Sequence, residues 1–299
     1  MRLYRSIWLT IFSIGIISTG SVEGEGDDLG SGARPLGLGG AFTPIADDAN
    51  ALFFNPSGLA QLQRSEITTM YARLFPGLEG ERLSRGLFAY AHPVKNGTFG
   101  LGWGGLLTDV FDEHLIVVSY AYRFDHGVMA GLGVKGMLWK ADLAQGDVAS
   151  SLSSGLKVGV DVGLLWVSSW NLKVGAVVKD LNKPNLAKKT TVEDGKLPME
   201  IRVGAAYRLP TATLSGEFVT LEERRKVLLG VERNFSEIGL SIRGGGNWQS
   251  LSGEGEWNEA TFGFGYEMPR GVVVDYSYAY FLQLREIGGA HRVSFGYRF

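Results

Sequence analysis

The histidines are the side chains best suited to acid–base or metal chemistry. The chain has four of them and no cysteine. A metal site would need ligands a few residues apart or on one face of an element, and the histidines show no such spacing. They fall at the ends of predicted strands or in turns, which favours structural roles: His92, His114, His126 and His291. We therefore expect no metal site and no catalytic residues.

A second chemical motif is the glycine pattern G-x-G-x-x-G at Gly131–Gly136. In dinucleotide-binding proteins this pattern follows a strand and opens a helix, whose N-terminus holds the pyrophosphate. Here it lies inside a strand-like alternation, and no helical pattern follows it. The sequence context therefore argues against a nucleotide site. We expect no cofactor and no enzymatic activity.

Two adjacent carboxylates, Asp47 and Asp48, are a further candidate for binding a cation. They precede the short apolar run Ala49–Leu52, where acidic residues commonly cap a helix. Helix capping explains them without a metal. Asn55–Pro56 then predicts a turn into another helical turn over Ser57–Ala60.

Composition narrows the class of protein. The chain has 299 residues, 45% of them hydrophobic, with 43 glycines and a formal net charge of −2. This composition excludes a disordered chain, a disulfide scaffold and a collagen-like repeat. The near-neutral charge gives no basic surface for nucleic acid, so none is expected as a partner.

The N-terminus resembles a secretory signal peptide. Arg2 and Arg5 precede an apolar run over Ile7–Ile17, and small residues follow it. The run is too short to cross a bilayer core, which needs about 20 apolar residues. We predict a signal peptide at residues 1–20 and an exported mature chain, with a buried N-terminal helix as the alternative.

The remainder of the chain alternates between apolar and polar residues. About fourteen such segments of about ten residues follow Ser65, separated by glycine, proline, asparagine or aspartate. One face of each segment is apolar and aromatic. The opposite face carries glycines and charges of both signs: Lys135, Lys157, Asp161, Lys173, Lys179, Arg202, Glu217, Glu232, Arg243, Glu267, Asp275, Arg292 and Arg298.

This pattern predicts an all-β protein, a transmembrane antiparallel β-barrel of about fourteen strands at residues 65–299. In such barrels the apolar face meets lipid and the charged face lines the lumen. The predicted gaps alternate between short and long, except near Glu222–Glu223, as expected for short periplasmic turns and long outer loops. A soluble β-sandwich remains the alternative. Six tryptophans near strand ends fit interfacial girdles, although ligand stacking is the alternative: Trp103, Trp139, Trp166, Trp170, Trp248 and Trp257.

The segment before the barrel is apolar and glycine-rich but does not alternate. We assign residues 21–32 to a flexible linker and residues 33–64 to an N-terminal plug, because its apolar side chains need a surface to bury them and the lumen provides one. The residues expected to form the plug and gate are Asp47, Asp48, Asn50, Asn55, Pro56, Gly58 and Leu59. The lumen charges are expected to include a network that fixes this plug.

The plug sequence Gly39–Phe42, Ala46–Leu52 and Asn55–Ala60 resembles the N-terminal signature of the PorV/PorQ family, within the FadL-like superfamily of fourteen-stranded outer-membrane barrels. The C-terminal segments Val274–Tyr278 and His291–Phe299 are similar to it as well. The middle stretch Leu197–Tyr207 also fits. The resemblance implies location in the bacterial outer membrane, contact with its lipid, and a C-terminal Phe299 used by the barrel-assembly machinery.

Two functions are implied by this resemblance. FadL-like proteins pass hydrophobic molecules through a plugged, laterally opened barrel, which makes hydrophobic small molecules the expected partners. PorV-like members act with type IX secretion-system proteins, and an accessory role without a pore is the alternative. The outer loop Ala141–Gly155 is polar, which argues against specific fatty-acid uptake.

A lateral opening is expected at the third predicted strand, where glycines weaken the ladder. These glycines are Gly100, Gly102, Gly104 and Gly105. The alternative is that they only make room for the plug.

Overall fold

In the computed structural model, the described residues are 31–77, 83–145, 148–186, 195–251, 254–283 and 288–299, with backbone alone described for those within 142–152 and 251–257. The predicted signal peptide and most of the predicted linker lie outside these residues. No helix in the described ranges has both the length and the apolar character needed to cross a membrane.

The chain forms a single antiparallel sheet. Its strands are β1 Glu66–Leu74, β2 Ser84–Val94, β3 Gly97–Leu107, β4 Phe111–Arg123, β5 Val128–Gln145, β6 Val148–Ser153, β7 Lys157–Val167, β8 Leu172–Lys179, β9 Glu200–Arg208, β10 Thr213–Leu221, β11 Arg224–Phe235, β12 Leu240–Leu251, β13 Glu254–Glu267, β14 Val272–Phe281 and β15 Ala290–Arg298.

The sheet closes on itself as a barrel. β1 pairs with β2 on one side and with β15 on the other, and β5 pairs with both β4 and β7. Because β6 pairs only with Lys140–Gln145 of β5, the closed ring consists of the other fourteen strands. The predicted all-β barrel of about fourteen strands is therefore confirmed.

Connections at the two ends of the barrel follow the predicted alternation only in part. At the end that holds both Glu66 and Arg298 the turns are short, and one of them is a single 3-10 turn at Asp125–Gly127. At the opposite end, which we call the outer end, the connection after β8 runs from residue 180 to residue 199. The predicted loop Ala141–Gly155 is wrong, because it extends β5 and forms β6 as a hairpin. The predicted loop Trp248–Glu256 is wrong as well, because β12 runs to Leu251 and β13 begins at Glu254. Residues 108–110 and 222–223 also make short connections at this end.

The segment before β1 contains three short helical elements: α1 Ala33–Gly37, α2 Ala51–Phe54 and the 3-10 helix η1 Pro56–Gln61. They lie inside the ring, α1 against β12–β15 and η1 against β3, β4, β5 and β7. Leu38, Phe42 and Leu59 have no exposed surface. Almost all residues from 33 to 60 are thus buried within the ring.

Strand alternation places large apolar side chains on the outside of the ring. On β4, Ile116 and Val118 are each more than half exposed, whereas the intervening Val117 is buried. The same applies to Phe99 on β3, Leu164 on β7, Phe262 on β13 and Phe295 on β15, which are among the exposed large apolar residues. Proteins that face only water rarely expose so many large apolar side chains.

Candidate functional site

The plug is fixed to the wall by an ion cluster around Arg34. Its guanidinium donates to Asp47 Oδ1 and Asp48 Oδ2, both at 2.7 Å, and to both carboxylate oxygens of Glu232 on β11. Glu232 also accepts from Arg243 on β12 at 2.7 Å. One plug arginine therefore connects the two plug carboxylates to the barrel wall.

The expected helix-capping role of Asp47 and Asp48 is wrong. The N-cap of α2 is Asn50, and no side chain caps this helix. Asp48 Oδ1 instead accepts from the backbone and side-chain nitrogens of Asn50. Asp47 Oδ1 and Asp48 Oδ2 accept from Arg34, because a buried guanidinium in an apolar segment needs carboxylate partners, and Asp47 Oδ2 accepts from Lys173.

Charges around the plug shift its ionisation equilibria. Burial would raise the pKa of the Asp47 carboxyl, but the charges of Arg34 and Lys173 outweigh burial and hold that pKa well below its ordinary value. Burial would lower the pKa of Arg34, but the carboxylates of Asp47, Glu232 and Asp48 keep it well above its ordinary value. Arg34 and Asp47 therefore stay ionised near neutral pH.

A second polar anchor holds the middle of the plug. Glu217 on β10 accepts from the Thr43 backbone nitrogen at 3.0 Å and from its hydroxyl at 2.8 Å. Glu217 also pairs with Arg202, which in turn pairs with Glu200. Lys179 Nζ lies 3.6 Å from Glu200. These inward charges on β8–β10 form one chain of ion pairs.

The turn after α2 follows the predicted pattern. Asn55 caps η1 by accepting from the Ser57 nitrogen, and Pro56 stands in its first turn. The Asn55 side chain also donates to the carbonyl oxygens of Thr43, at 3.1 Å, and of Leu164 on β7, at 3.2 Å. This side chain therefore joins the plug to itself and to the wall.

The four glycines predicted to form a lateral opening do not all lie on the same face of β3. Gly100 and Gly102 face the plug, where a Cβ would lie 2.6 Å from Leu52 and from Phe53 respectively. Gly104 is also buried by the alternation of β3, whereas Gly105 lies under the Trp103 ring on the outside. The ladders from β3 to β2 and β4 run through all of these positions without a break.

One side of the lumen is predominantly apolar. The inner faces of β1–β5 contribute Met70, Ala72, Leu74, Leu87, Ala89, Ala91, Leu106, Leu115, Val117, Ala121, Met129 and Met137 to a cluster that also includes Leu52, Phe53, Phe54 and Leu59 of the plug. Four buried charged residues interrupt this side: Glu66, Arg85, Glu113 and Lys135. The described ion pairs that anchor the plug instead involve β8 and β11, and Glu217 on β10 anchors its backbone.

Aromatic rings continue the apolar side to the outer end of the barrel. Phe75 packs on Phe281 with ring centroids 5.2 Å apart, and Phe111 stacks on Trp139 at 6.1 Å. All four pack against the cluster shared with the plug. The girdle prediction is wrong for Trp139, because its indole points into the barrel and donates to the Leu186 carbonyl oxygen.

The remaining predicted lumen charges also point inward. Arg243 pairs with Asp275 at 2.5 Å, and Arg292 is buried. Arg298 pairs with Glu66 and Glu267 at the short-turn end, where Asp47, Glu66 and Arg298 line a cavity of about 180 Å³. The C-terminal Phe299 is exposed, and its ring stacks on that of Tyr297.

The other chemical candidates lie in structural positions. His92 bonds Ser65, His291 bonds Tyr276, His114 stacks on Trp103, and His126 lies in the turn before β5. Within the described ranges there is no group of three or more histidines or carboxylates that could hold a metal. The G-x-G-x-x-G pattern lies within β5, where Gly131 contacts Ser57 of the plug.

Sequence reasoning missed Arg34 as the centre of the anchor. It is the one cation among residues 33–63, in a segment with two adjacent carboxylates. A single cation in such a segment indicates that it pairs with the carboxylates, because a charge inside a lumen requires partners.

Comparison with family models and curated proteins gives one partial match. A family model described as "F plasmid transfer operon, TraF, protein" matches residues 137–222, which is less than half of the chain. No curated protein matches.

Among solved structures, the CymD monoaromatic hydrocarbon channel is similar at 13% identity and a TM-score of 0.70, over 91% of this chain and 98% of that one. The Ralstonia pickettii toluene transporter TbuX is 12% identical with a TM-score of 0.69, over 91% of this chain and 99% of that one. A Pseudomonas aeruginosa FadL homologue is 13% identical with a TM-score of 0.60, over 90% and 98% respectively. These proteins are titled as channels or transporters or as a FadL homologue, and the chain has the fold of FadL-like barrels.

Proposed function

We propose that the protein lies in the bacterial outer membrane and passes small hydrophobic molecules through its barrel, with the plug as gate. The observation that carries this proposal is the apolar side of the lumen. It runs from the aromatic pairs Phe75–Phe281 and Phe111–Trp139 at the outer end to Leu52 and Phe53 of the plug. An apolar molecule that follows this side avoids the ion pairs that hold the plug to the opposite wall, and passes the buried charges of Arg85, Glu113 and Lys135.

The outside of the ring supports the membrane location. Exposed Ile116, Val118, Leu164 and Phe262 would lie against lipid tails, in which every backbone polar group needs a partner within the protein. A closed ring of strands meets that condition. The partners expected from this setting are outer-membrane lipid and the barrel-assembly machinery, with Phe299 at the C-terminus.

The gating role rests on how the plug is held. Ion pairs of Arg34 and Lys173 fix it to one side, and Leu52, Phe53 and Leu59 pack against the apolar side. A shift of the plug away from the apolar side would open a path there while Arg34 keeps its hold. The plug and gate residues are therefore Asp47, Asp48, Asn50, Asn55, Pro56, Gly58 and Leu59.

The alternative is an accessory component of a type IX-like secretion complex that does not conduct. The resemblance of the plug sequence to the PorV/PorQ family supports it, and so does the dense plug. Leu38, Phe42 and Leu59 are fully buried in the lumen. In that case exported proteins or secretion-system proteins would be the partners, and the lumen would stay closed.

Uptake measurements separate these functions. Cells with a lipopolysaccharide outer membrane would express the wild type or a chain lacking Asn55–Leu59, and uptake of radiolabelled toluene would be compared with uptake by empty-vector cells. Heat-modifiable gel migration would show that each barrel is folded. If the protein transports toluene, uptake should be faster in cells with the wild type than in empty-vector cells. Deletion of Asn55–Leu59 should then change the uptake rate relative to the wild type. Uptake equal to the empty vector for both chains, together with a co-purifying protein lost on deletion, would favour the accessory role.

A further inference from the structure

An arginine and a histidine lie side by side on the outside of the barrel. Arg73 on β1 and His291 on β15 are directly paired residues of neighbouring strands, and both side chains are exposed. The residues before and after each of them are buried, so both side chains point away from the lumen. The Cβ atoms of directly opposed residues are about 5 Å apart. The two basic side chains therefore share one patch of the outer surface.

This basic pair lies near the outer end of the ring. β1 and β15 have nine residues each, about the length of one tilted membrane-spanning strand. Arg73 is the last residue but one of β1, and His291 is the second residue of β15. Toward the short-turn end, the same outward faces carry Tyr71 and Phe295, which are 61% and 58% exposed. The basic pair therefore lies where the exposed apolar band of these two strands ends.

Among the described residues, the strand register places no carboxylate next to the basic pair. Along the row of directly paired positions, the first carboxylate on the β2 side is Asp112, three strands from Arg73. On the other side, the row continues from His291 to Tyr278 and Phe262. Both of these side chains are aromatic. The positive charge of this patch is therefore directed to an anion outside the chain.

Two tyrosines of β14 hold the histidine ring. The Tyr276 hydroxyl lies 2.8 Å from His291 Nδ1, and the ring centroids of Tyr278 and His291 are 4.8 Å apart. When the Tyr276 hydroxyl donates to Nδ1, the ring proton of His291 is on Nε2, which is then a donor. The guanidinium of Arg73 has donors only. The basic pair therefore offers hydrogen-bond donors and a positive charge to one external anion.

A phosphorylated lipid matches both parts of this surface. A guanidinium binds phosphate through two parallel N–H···O bonds, which suits Arg73 to a phosphate ligand. The headgroup of a lipid lies where the apolar layer of the membrane ends, and its acyl chains would lie along Tyr71, Val293 and Phe295. A free phosphate ion would use the basic pair alone. The apolar surface directly beneath the pair therefore favours a lipid over a free ion.

We propose that Arg73 and His291 form an outward-facing site for the phosphate of an outer-leaflet lipid, the lipid A part of lipopolysaccharide. The site goes beyond the proposed transport function and rests only on the proposed location in the outer membrane. Its two residues belong to the first and last strands of the ring, whose pairing closes the barrel. A lipid bound to both side chains would therefore stabilise the closing ladder, because a ligand of the folded state raises its stability.

Lipid binding to the folded protein in detergent tests the site. Native mass spectrometry would give the dissociation constant of diphosphoryl lipid A for each variant, after heat-modifiable gel migration has shown that the variant is folded. Arg73→Met should weaken binding about tenfold or more, because charge-assisted hydrogen bonds are lost. His291→Phe keeps an aromatic ring on Tyr278, removes the Nε2 donor and should also weaken binding.

The matched control is Arg225→Met. Arg225 is an exposed arginine near the outer end of β11, and its directly paired neighbours are Thr220 and Ser250 instead of a histidine. This variant should bind lipid A as the wild type does, and lipid A should raise the melting temperature of both more than that of Arg73→Met. Equal affinity of the wild type and Arg73→Met would overturn the site.

Two further ligands separate the sources of the phosphate. Fully dephosphorylated lipid A should bind the wild type about tenfold or more weakly than the diphosphoryl form, and millimolar inorganic phosphate should not displace the diphosphoryl form. Displacement by inorganic phosphate would indicate a site for the free ion, and undiminished binding of the dephosphorylated lipid would indicate recognition of acyl chains alone. Either result would overturn the proposal. None of these measurements involves uptake, so their failure would leave toluene transport standing, and absence of toluene uptake would leave the lipid site standing.

Discussion

Arg34 and Glu232 join the plug to the wall through two parallel hydrogen bonds, Nε to Oε1 and Nη2 to Oε2, both 3.0 Å long. This paired geometry fixes direction as well as distance, because the planar guanidinium matches the carboxylate. The remaining nitrogen of Arg34 holds Asp47 and Asp48. The arginine therefore sets both where the plug lies and how its acidic turn is oriented.

Arg34→Met should destabilise the folded barrel strongly. It leaves Asp47, Asp48 and Glu232 without their shared cation, and breaking a buried pair in this way costs about 3–5 kcal/mol. The free energy of unfolding would be measured by urea titration in detergent. Arg233→Met is the control. Exposed Arg233 covers the Phe235 ring and has no ion pair among the described residues, so its loss should cost less than about 1 kcal/mol. Equal losses for both variants would contradict the anchoring role of Arg34.

Gly163→Ala should displace the plug from β7. A Cβ at Gly163 would lie 2.1 Å from Asn55 Oδ1 and 3.1 Å from Pro56 Cδ, so one of them has to move. Overpacking of this kind costs about 1–3 kcal/mol. Gly216→Ala is the matched control, because the nearest atom to its Cβ would belong to Leu229, at an ordinary contact distance of 3.7 Å. Limited proteolysis should cut the plug of Gly163→Ala faster than that of Gly216→Ala, and identical cleavage rates would refute the close approach.

The strand positions were predictable because a period of two fixes which side chains face outward. A shift of one residue would turn the apolar side chains of a strand from the outside of the barrel into the lumen. The alternation therefore determines where a strand lies in the sequence and which of its side chains face outward. This is why the inward positions of Arg202, Arg243, Asp275 and Arg292 follow from sequence. The β5–β6 hairpin was not predictable in the same way, because its polar, serine-rich sequence also fits a loop.

The plug was harder to predict because its helices are short. α2 has four residues, so no apolar period distinguishes its faces. The roles of Asp47 and Asp48 depend on Arg34, and the inward turn of Trp139 depends on Leu186, a partner 47 residues along the chain. Local patterns do not identify the partner residues in such long-range contacts.

The Asp47 carboxylate should make part of the stability pH-dependent. Because its pKa is held below the ordinary value in the folded chain, it stabilises the fold above the unfolded pKa of about 3.9, and this contribution is lost as the pH falls toward the folded pKa. Melting temperatures of the wild type and Asp47→Asn would be measured in detergent from neutral to acidic pH. The difference between them should be constant near neutral pH and shrink below about pH 4. A difference that grows on acidification would contradict the assignment.

Ile116→Arg should impair assembly into the membrane. The Ile116 side chain is 51% exposed near the middle of β4, where an arginine facing lipid costs about 2–4 kcal/mol. Asp109→Arg places the same side chain in the exposed outer turn before β4, where it remains in water. Outer-membrane fractions would be compared by the amount of heat-modifiable protein, which should fall for Ile116→Arg and stay at the wild-type level for Asp109→Arg. Folded Ile116→Arg recovered in normal amounts without detergent would show that this face of the barrel meets water, and the membrane setting would then be wrong.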